Sequence, residues 1–436
     1  MSDTGTQGHR NLAAAALAIG LACALLLIDP TPAHHYSLEA RQRTALAADV
    51  ISGASRGTQG LVGSLHLAPL PTIVVVLIGL IPFVPITPLL NSVAAAGAAA
   101  LLAAYVHAVW RAHGVHPALR YSAVVAIMLL PPVAVSVRAG ATSMVFVALT
   151  VCACGALGEW LRTASLRQLS LSAIFLGLAV ITRWQGLVLA AAATGVVALG
   201  AAVHRRGWSY VEGTSITYAV PGAYTALLWI GGNWLVLGNP LFFLRSLGSA
   251  AVPGPHGAWS VLAADCPWAL IAIMAGFCCS VQIAGAVLRR SAWRHPADVA
   301  ACCALAVLVG VAWIGRLPLQ ETPAPSDARR VATLLSEAYP NGVFIVTGYV
   351  GYEFTDAAGA DPENRWVHQM HLRPENVDKI LADYPGCDVY LLVHAGLGQE
   401  RWDRVGLTWA DGDRIPEHYL FVRMVGDWAV FEILRP

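Results

Sequence analysis

The chain has 436 residues, 57% of them hydrophobic and only 12% charged, with a formal net charge of +1. A balance this near neutral excludes a general nucleic-acid binder, which needs a basic face to meet phosphates. Near-uniform apolar runs recur from Asn11 to Ile314 and exclude an ordinary soluble core. At roughly 20 apolar residues per crossing, the composition predicts a polytopic α-helical membrane protein.

Taken in order, Asn11–Ile28 is preceded only by His9 and Arg10 and runs into Asp29-Pro30 without a small-residue cleavage pattern. It is longer than a signal-peptide apolar region and reads as an uncleaved first span over about 11–29. A polar excursion over about 30–91 follows, carrying His34-His35, Glu39, Arg41, Arg43 and Asp49. It continues through Pro69-Leu70-Pro71 into an apolar run interrupted by Pro82, Pro85 and Pro88. Further spans are predicted at about 92–110, 120–137, 142–161, 169–184, 186–203, 214–237, 267–288 and 297–316, which makes about nine crossings in all.

Basic residues orient them. Arg10, Arg111 and Arg120, Arg162 and Arg167, Arg205 and Arg206, and Arg289, Arg290 and Arg294 alternate onto one side only if the run 70–88 does not cross. The prolines agree, because proline removes a donor and breaks a helix interior. The run is therefore expected to form a juxtamembrane or half-inserted helix on the outer face. The N-terminus is expected inside and the C-terminus outside, in the inner (cytoplasmic) membrane. The outer loop 238–266 holds the turn signals Gly238-Asn239-Pro240 and Pro253-Gly254-Pro255, with aromatic anchors at Phe242, Phe243 and Trp259.

The apolar part, 1–316, ends at a linker over 317–325. The remaining 326–436 reads as a soluble extracytoplasmic α/β domain, long enough to fold as a unit. Helices are expected over Ser326–Ala338, with Ser326 as N-cap, and over Pro374–Tyr384. Buried strands are expected at 343–347 and 388–393, and a hairpin from 419–425 and 428–434 about Gly426-Asp427. Alternating helices and strands imply a small α/β sandwich.

Few residues carry chemistry. Glu39 and, more weakly, Asp49 lie in the first loop, where a carboxylate at an outer-face cavity can act as general base. Glu39 and Arg43 also have the i, i+4 spacing of an ordinary ion pair on a solvated helix, and both readings stand. Arg183, in Thr182-Arg183-Trp184-Gln185-Gly186 between two apolar runs, offers a forked donor to a phosphate or carboxylate; the competing reading is an arginine snorkelling to the interface beside Trp184. Arg138 and Arg245 share both readings.

No cofactor is implied. His34-His35 lacks a third ligand at metal spacing. Asp356, Asp361, Glu363, His368 and His371 form no metal set, and Gly348-Tyr349-Val350-Gly351 lacks the lysine of a phosphate loop. The intramembrane cysteines read as small hydrophobes. Cys266 and Cys387 both fall outside the predicted spans, where a disulfide between them is an open alternative.

Three stretches resemble the GT-C superfamily of polytopic glycosyltransferases, which includes the lipid A aminoarabinose transferases and protein O-mannosyltransferases. Glu39, Leu46 and Val50 match the spacing of that family's first-loop helix. Pro69-Leu70-Pro71 and the following run resemble its juxtamembrane helix. Leu176-Gly177-Leu178-Ala179 leading to Thr182-Arg183-Trp184-Gln185-Gly186 is similar to its Thr-Arg-x-Glu-Gly stretch. Gly238-Asn239-Pro240-Leu241 also resembles a common segment.

The resemblance implies a GT-C-like fold and inverting transfer of a sugar from a polyprenyl-phosphate donor to a glycan, lipid or protein acceptor at the outer face. Glu39 would be the base, and Arg183, with Arg138 and Arg245, would bind the donor phosphate. The family's first acid is usually Asp followed by another acid, whereas Glu39 is followed by Ala40, and the outer link 138–143 carries no acid. The alternative is a non-catalytic GT-C-like scaffold or assembly subunit that binds protein partners through its C-terminal domain. A transporter is the third reading, with Glu159 at a helix end as its nearest carboxylate.

Overall fold

A computed structural model describes residues 4–27, 36–53, 55–63, 68–203, 207–241, 268–287, 299–305, 307, 328–347, 365–369, 374–394, 419–425 and 428–435. The expectations for His34-His35, Arg245, Phe242, Phe243, Trp259, Cys266, the linker 317–325, Ser326, Gly348–Tyr352, Asp356, Asp361, Glu363, His371 and the turn at Gly426-Asp427 lie outside these residues. The chain divides into two compact units. One comprises Met1–Ala40, His66–Ile230 and Ala263–Thr322; the other comprises Arg41–Leu65, Gly231–Leu262 and Pro323–Pro436.

The first unit is a helical bundle. Its elements are α1 (Thr4–Leu27), α4 (Pro69–Gly79), α5 (Leu89–Ala112), α6 (Pro117–Leu129), α7 (Pro131–Ala139), α8 (Ser143–Thr163), α9 (Leu166–Val180), α10 (Gln185–Val203), most of α11 (Trp208–Leu237) and α12 (Trp268–Val287). Helix α2 (Leu38–Ile51) begins in this unit, and α3 (Ser55–Gly63) follows it in the second. Prolines open α4, α6 and α7 at the first helical position, where the missing N–H costs nothing.

Helices α5 and α8 form the centre, with Trp110 and Trp160 fully buried. Glycines at 155 and 158 let α12 approach α8 closely, and Gln282 closes the gap: its Nε2 donates to the Gly155 carbonyl at 3.0 Å. Ser172 bridges α9 to the Ala153 carbonyl at 2.9 Å and lies 3.0 Å from the Tyr218 hydroxyl. Such small-residue contacts and interhelical hydrogen bonds hold helices together where the surroundings are as apolar as the side chains.

Among the described residues, α5, α8, α10 and α11 are long and apolar enough to cross a membrane, and α6 with α7 makes a fifth if that bent pair is one span. Shorter apolar stretches occur in α1, α4, α9 and α12. The class is thus a mostly helical chain with four or five membrane-span candidates and a small C-terminal sheet.

The continuous span expected at 120–137 is broken. Leu130 takes an extended backbone (φ −59°, ψ 124°) and the two helices meet at 51°. Leu130 precedes Pro131-Pro132, and a residue before proline is pushed out of the helical region.

The run 70–88 contains α4, only 11 residues, or roughly 16 Å, half of a bilayer core. Leu70 N–H donates to the Ile181 carbonyl at 3.0 Å, while Asn91, just after the run, donates to the Ala40 carbonyl at 3.0 Å. The run therefore leaves the bundle beside the α9–α10 turn and rejoins it beside the first turn of α2.

In the second unit, α13 (Ala328–Ala338), β1 (Gly342–Thr347), β2 (Trp366–Gln369), α14 (Pro374–Asp383), β3 (Asp388–His394), β4 (Tyr419–Val425) and β5 (Trp428–Ile433) build a five-stranded sheet of order β2-β1-β3-β5-β4. Strands β2, β1 and β3 are parallel, with Phe344 facing both Trp366 and Tyr390, and β5 and β4 join antiparallel. Val331 and Leu335 of α13 pack on one face with Phe344, Tyr390 and Trp428. Val377 and Ile380 of α14 pack on the other with Ile345, Leu391 and Phe431. Strand β2 was not expected from the sequence. Its four residues, Trp366-Val367-His368-Gln369, are too few to show an alternation.

Candidate functional site

Six helix ends meet at one end of the bundle. Ser37 caps α2: its hydroxyl accepts from the Ala40 N–H at 3.1 Å, and its own N–H donates to the Ala139 carbonyl at 2.9 Å. Asn91 at the start of α5 donates to the Ala40 carbonyl, and the Ser92 hydroxyl donates to the Arg138 carbonyl at 3.0 Å. Gly140 ends α7 in the left-handed region (φ +68°), and a Cβ there would lie 3.0 Å from that of Asn91 and 3.1 Å from that of Ala40. Only glycine suits both the dihedral and the space.

The turn between α9 and α10 arrives at the same place. Arg183 N–H donates to the Ala179 carbonyl at 3.0 Å, and Gly186 N–H returns to the Arg183 carbonyl at 2.9 Å. A Cβ on Gly186 would lie 2.5 Å from the Ala179 carbonyl, so the turn closes this tightly only with glycine.

These contacts bring Glu39 and Arg183 together. Arg183 Nη2 lies 3.5 Å from Glu39 Oε2, with the side chains 10% and 19% exposed. Thr142, which precedes α8, donates its hydroxyl to Glu39 Oε1. Glu39 stands in the first turn of α2 and beside the start of α8, where helix N-termini favour negative charge. Arg183 stands two residues before the start of α10. The result is a partly desolvated cluster with one carboxylate, one forked cation and the positive ends of three helices, a setting suited to an anionic ligand.

The sequence-derived candidates divide. Glu39 and Arg183 are brought together. Arg138 is half-buried on the last turn of α7 and is anchored to α5 by its carbonyl. Asp49, ten residues further along α2 in the second unit, is buried, and a Cβ on Gly57 would lie 2.6 Å from its carbonyl carbon.

The solvated-helix reading of this region is also corrected, because α2 buries Gln42, Arg43, Thr44, Leu46 and Asp49. Arg43 is completely buried, and six charged or polar residues in one short helix gave no apolar period from which to read that. Arg245 lies outside the described residues.

Sequence reading missed Thr142, Asn91 and Ser92. The available signal was position: Asn91-Ser92 and Thr142-Ser143 each stand where an apolar run begins. Glu159 lies at the opposite end of α8, bound to Arg162 and, at 3.3 Å, to His113, so it lines no pathway through the bundle. Among the described residues no three His, Cys, Asp or Glu side chains gather as a metal site. In comparison with known proteins, no family model matches this chain and no curated protein matches it either.

Proposed function

We propose that the chain is a membrane glycosyltransferase of GT-C type that moves a sugar from a polyprenyl-phosphate donor to an acceptor at the outer face. The single observation that supports it is the meeting of Glu39 and Arg183, 3.5 Å apart, from two distant stretches. On this reading the bundle has nine spans, with the N-terminus inside and the 326–436 domain outside in the cytoplasmic membrane. Arg111, Arg120, Arg162 and Arg167 then lie at the inner end.

In the reaction, the donor phosphate takes the guanidinium of Arg183 from Glu39, and Arg138 adds positive charge. Thr142 keeps Oε1 of Glu39 fixed, leaving Oε2 for the acceptor. The acceptor O–H loses its proton to Oε2, and the oxygen attacks the anomeric carbon on the face opposite the phosphate. The bond from that carbon to the phosphate oxygen breaks, its electron pair leaves on polyprenyl phosphate beside Arg183, and the product sugar is inverted. A positioned base supplies about 10²–10⁴-fold of such a rate.

The second reading is a scaffold. It is favoured by the engagement of both Glu39 oxygens, by Thr142 and Arg183, which also makes a sound latch between α2, α8 and the α9–α10 turn. The test offers the purified wild-type chain in proteoliposomes a panel of polyprenyl-phosphate sugars. Release of free polyprenyl phosphate coupled to acceptor glycosylation supports the enzyme; absence of turnover with every donor and acceptor supports the scaffold.

A further inference from the structure

The register slips on strand β4. Phe421 pairs with Phe431, but Arg423, two residues on, pairs with Val430, the next residue along β5, so Val422 is the extra residue of a β-bulge. Unbroken alternation would set Arg423 opposite Ala429, on the apolar face packed by α14. The bulge turns it instead to the face where Val430 packs with α13. There its guanidinium lies over the Tyr339 ring, 5.2 Å from the centroid. Arg423 Nε is buried without a hydrogen-bond partner, and among the described residues the guanidinium makes no ion pair. Glu432 lies on the same face, paired with Tyr390 on one side and Leu420 on the other. It is half-buried and also makes no hydrogen bond or ion pair among the described residues. Arg423 and Glu432 are diagonal neighbours, which sets their Cβ atoms about 7–8 Å apart. Long side chains at that spacing can meet, but the stack on Tyr339 holds this cation aside.

We propose that the gap between Arg423 and Glu432 is a binding site for a sugar that bears a carboxylate, of the uronic-acid class. The planar fork of Arg423 takes a carboxylate through two parallel hydrogen bonds. Phosphate fits less well, because Asp388 and Glu432 flank Tyr390 on this same face and repel a second negative charge. Glu432, which can only accept, takes a ring hydroxyl. Leu420, 52% exposed at the end of the row, offers apolar surface to the C–H face of the ring. The bulge favours a ligand over a purely structural cation, since bulges recur beside functional sites by re-aiming a side chain. An unpaired buried Nε is a cost that the stack on Tyr339 leaves unexplained. The site lies wholly within the second unit and stands whether or not Glu39 catalyses transfer.

The test titrates the full chain in detergent with galacturonate, with galactose, which has the same ring without the carboxylate, and with inorganic phosphate, by isothermal calorimetry. Galacturonate is expected to bind saturably and at least about tenfold more tightly than either of the others, the worth of one charge-assisted hydrogen bond. Hydrogen exchange read by mass spectrometry should show protection by galacturonate in peptides that contain 419–425 and 428–433. Arg423→Gln should lose at least about tenfold in galacturonate affinity, and Glu432→Ala should lose affinity for galacturonate while binding acetate as the wild type does; circular dichroism checks that both variants keep their fold. The proposal is overturned by a wild type that does not bind galacturonate, by galactose or phosphate binding as tightly, or by protection that falls outside those strands. Undiminished galacturonate binding by a folded Arg423→Gln chain overturns it too.

Discussion

At the residue scale, the site depends on matched shapes more than on charge. An Arg183→Lys substitution keeps a cation but loses the planar fork that can bridge a carboxylate and a phosphate. It is expected to weaken donor turnover by about tenfold to a hundredfold, the value of one or two charge-assisted hydrogen bonds. Thermal stability in detergent should change little, and steady-state kinetics with varied donor would check both. A second residue-scale expectation concerns the C-terminal sheet. Burial, then the neighbouring Asp388, Glu432 and Tyr339, push the Tyr390 phenol from 10.0 up to about 12.

The folded state therefore favours the neutral phenol. Its contribution is fully present below pH 10 and is lost as pH rises from there toward 12. Replacing Tyr390 by Phe should flatten the stability loss in that window, as followed by denaturant unfolding of the full chain at pH 9 to 12. An unchanged pH slope would contradict the assignment.

At the element scale, the turns carry the precision. Gly186→Ala would force a Cβ against the Ala179 carbonyl, so the α9–α10 turn must open and Arg183 must withdraw from Glu39. Displacing a contact by about 1 Å at a reacting centre costs about a hundredfold, and transfer assays alongside circular dichroism would show activity falling while helix content holds. The helices themselves were legible from apolar runs, because a bilayer-length stretch is a signal few other structures produce.

The bend at Leu130 is legible in Pro131-Pro132, a local signal that the length of the apolar run does not carry. Strand β2 was not legible, since its pairing with β1 comes from the sheet and not from its own four residues. Of the site, Arg183 is readable as a charge between two apolar runs and Glu39 as a carboxylate in the first polar loop. Thr142 was not, because a threonine beside a span has many uses and only the fold puts it against a carboxylate 103 residues away.

At the scale of the whole molecule, the proposal makes a statement about sides. Ser52 and Thr163 are both exposed, and the nine-span orientation puts the first outside and the second inside. Cysteines introduced there singly should label from opposite faces of sealed vesicles with an impermeant maleimide, read above the native thiols. Labelling of both from one face would overturn the orientation and with it the reading of 70–88 as a non-crossing run. Glu39 lies 3.5 Å from Arg183, and the enzyme and scaffold accounts separate at that atom pair.

The most direct measurement is sugar transfer by Glu39→Gln set against the wild type in proteoliposomes, with donor binding measured in parallel. The amide keeps the size and the hydrogen bond from Thr142 but cannot take the acceptor's proton. The account predicts that transfer falls by about 10²–10⁴-fold with donor binding retained, and transfer at the wild-type rate would contradict it.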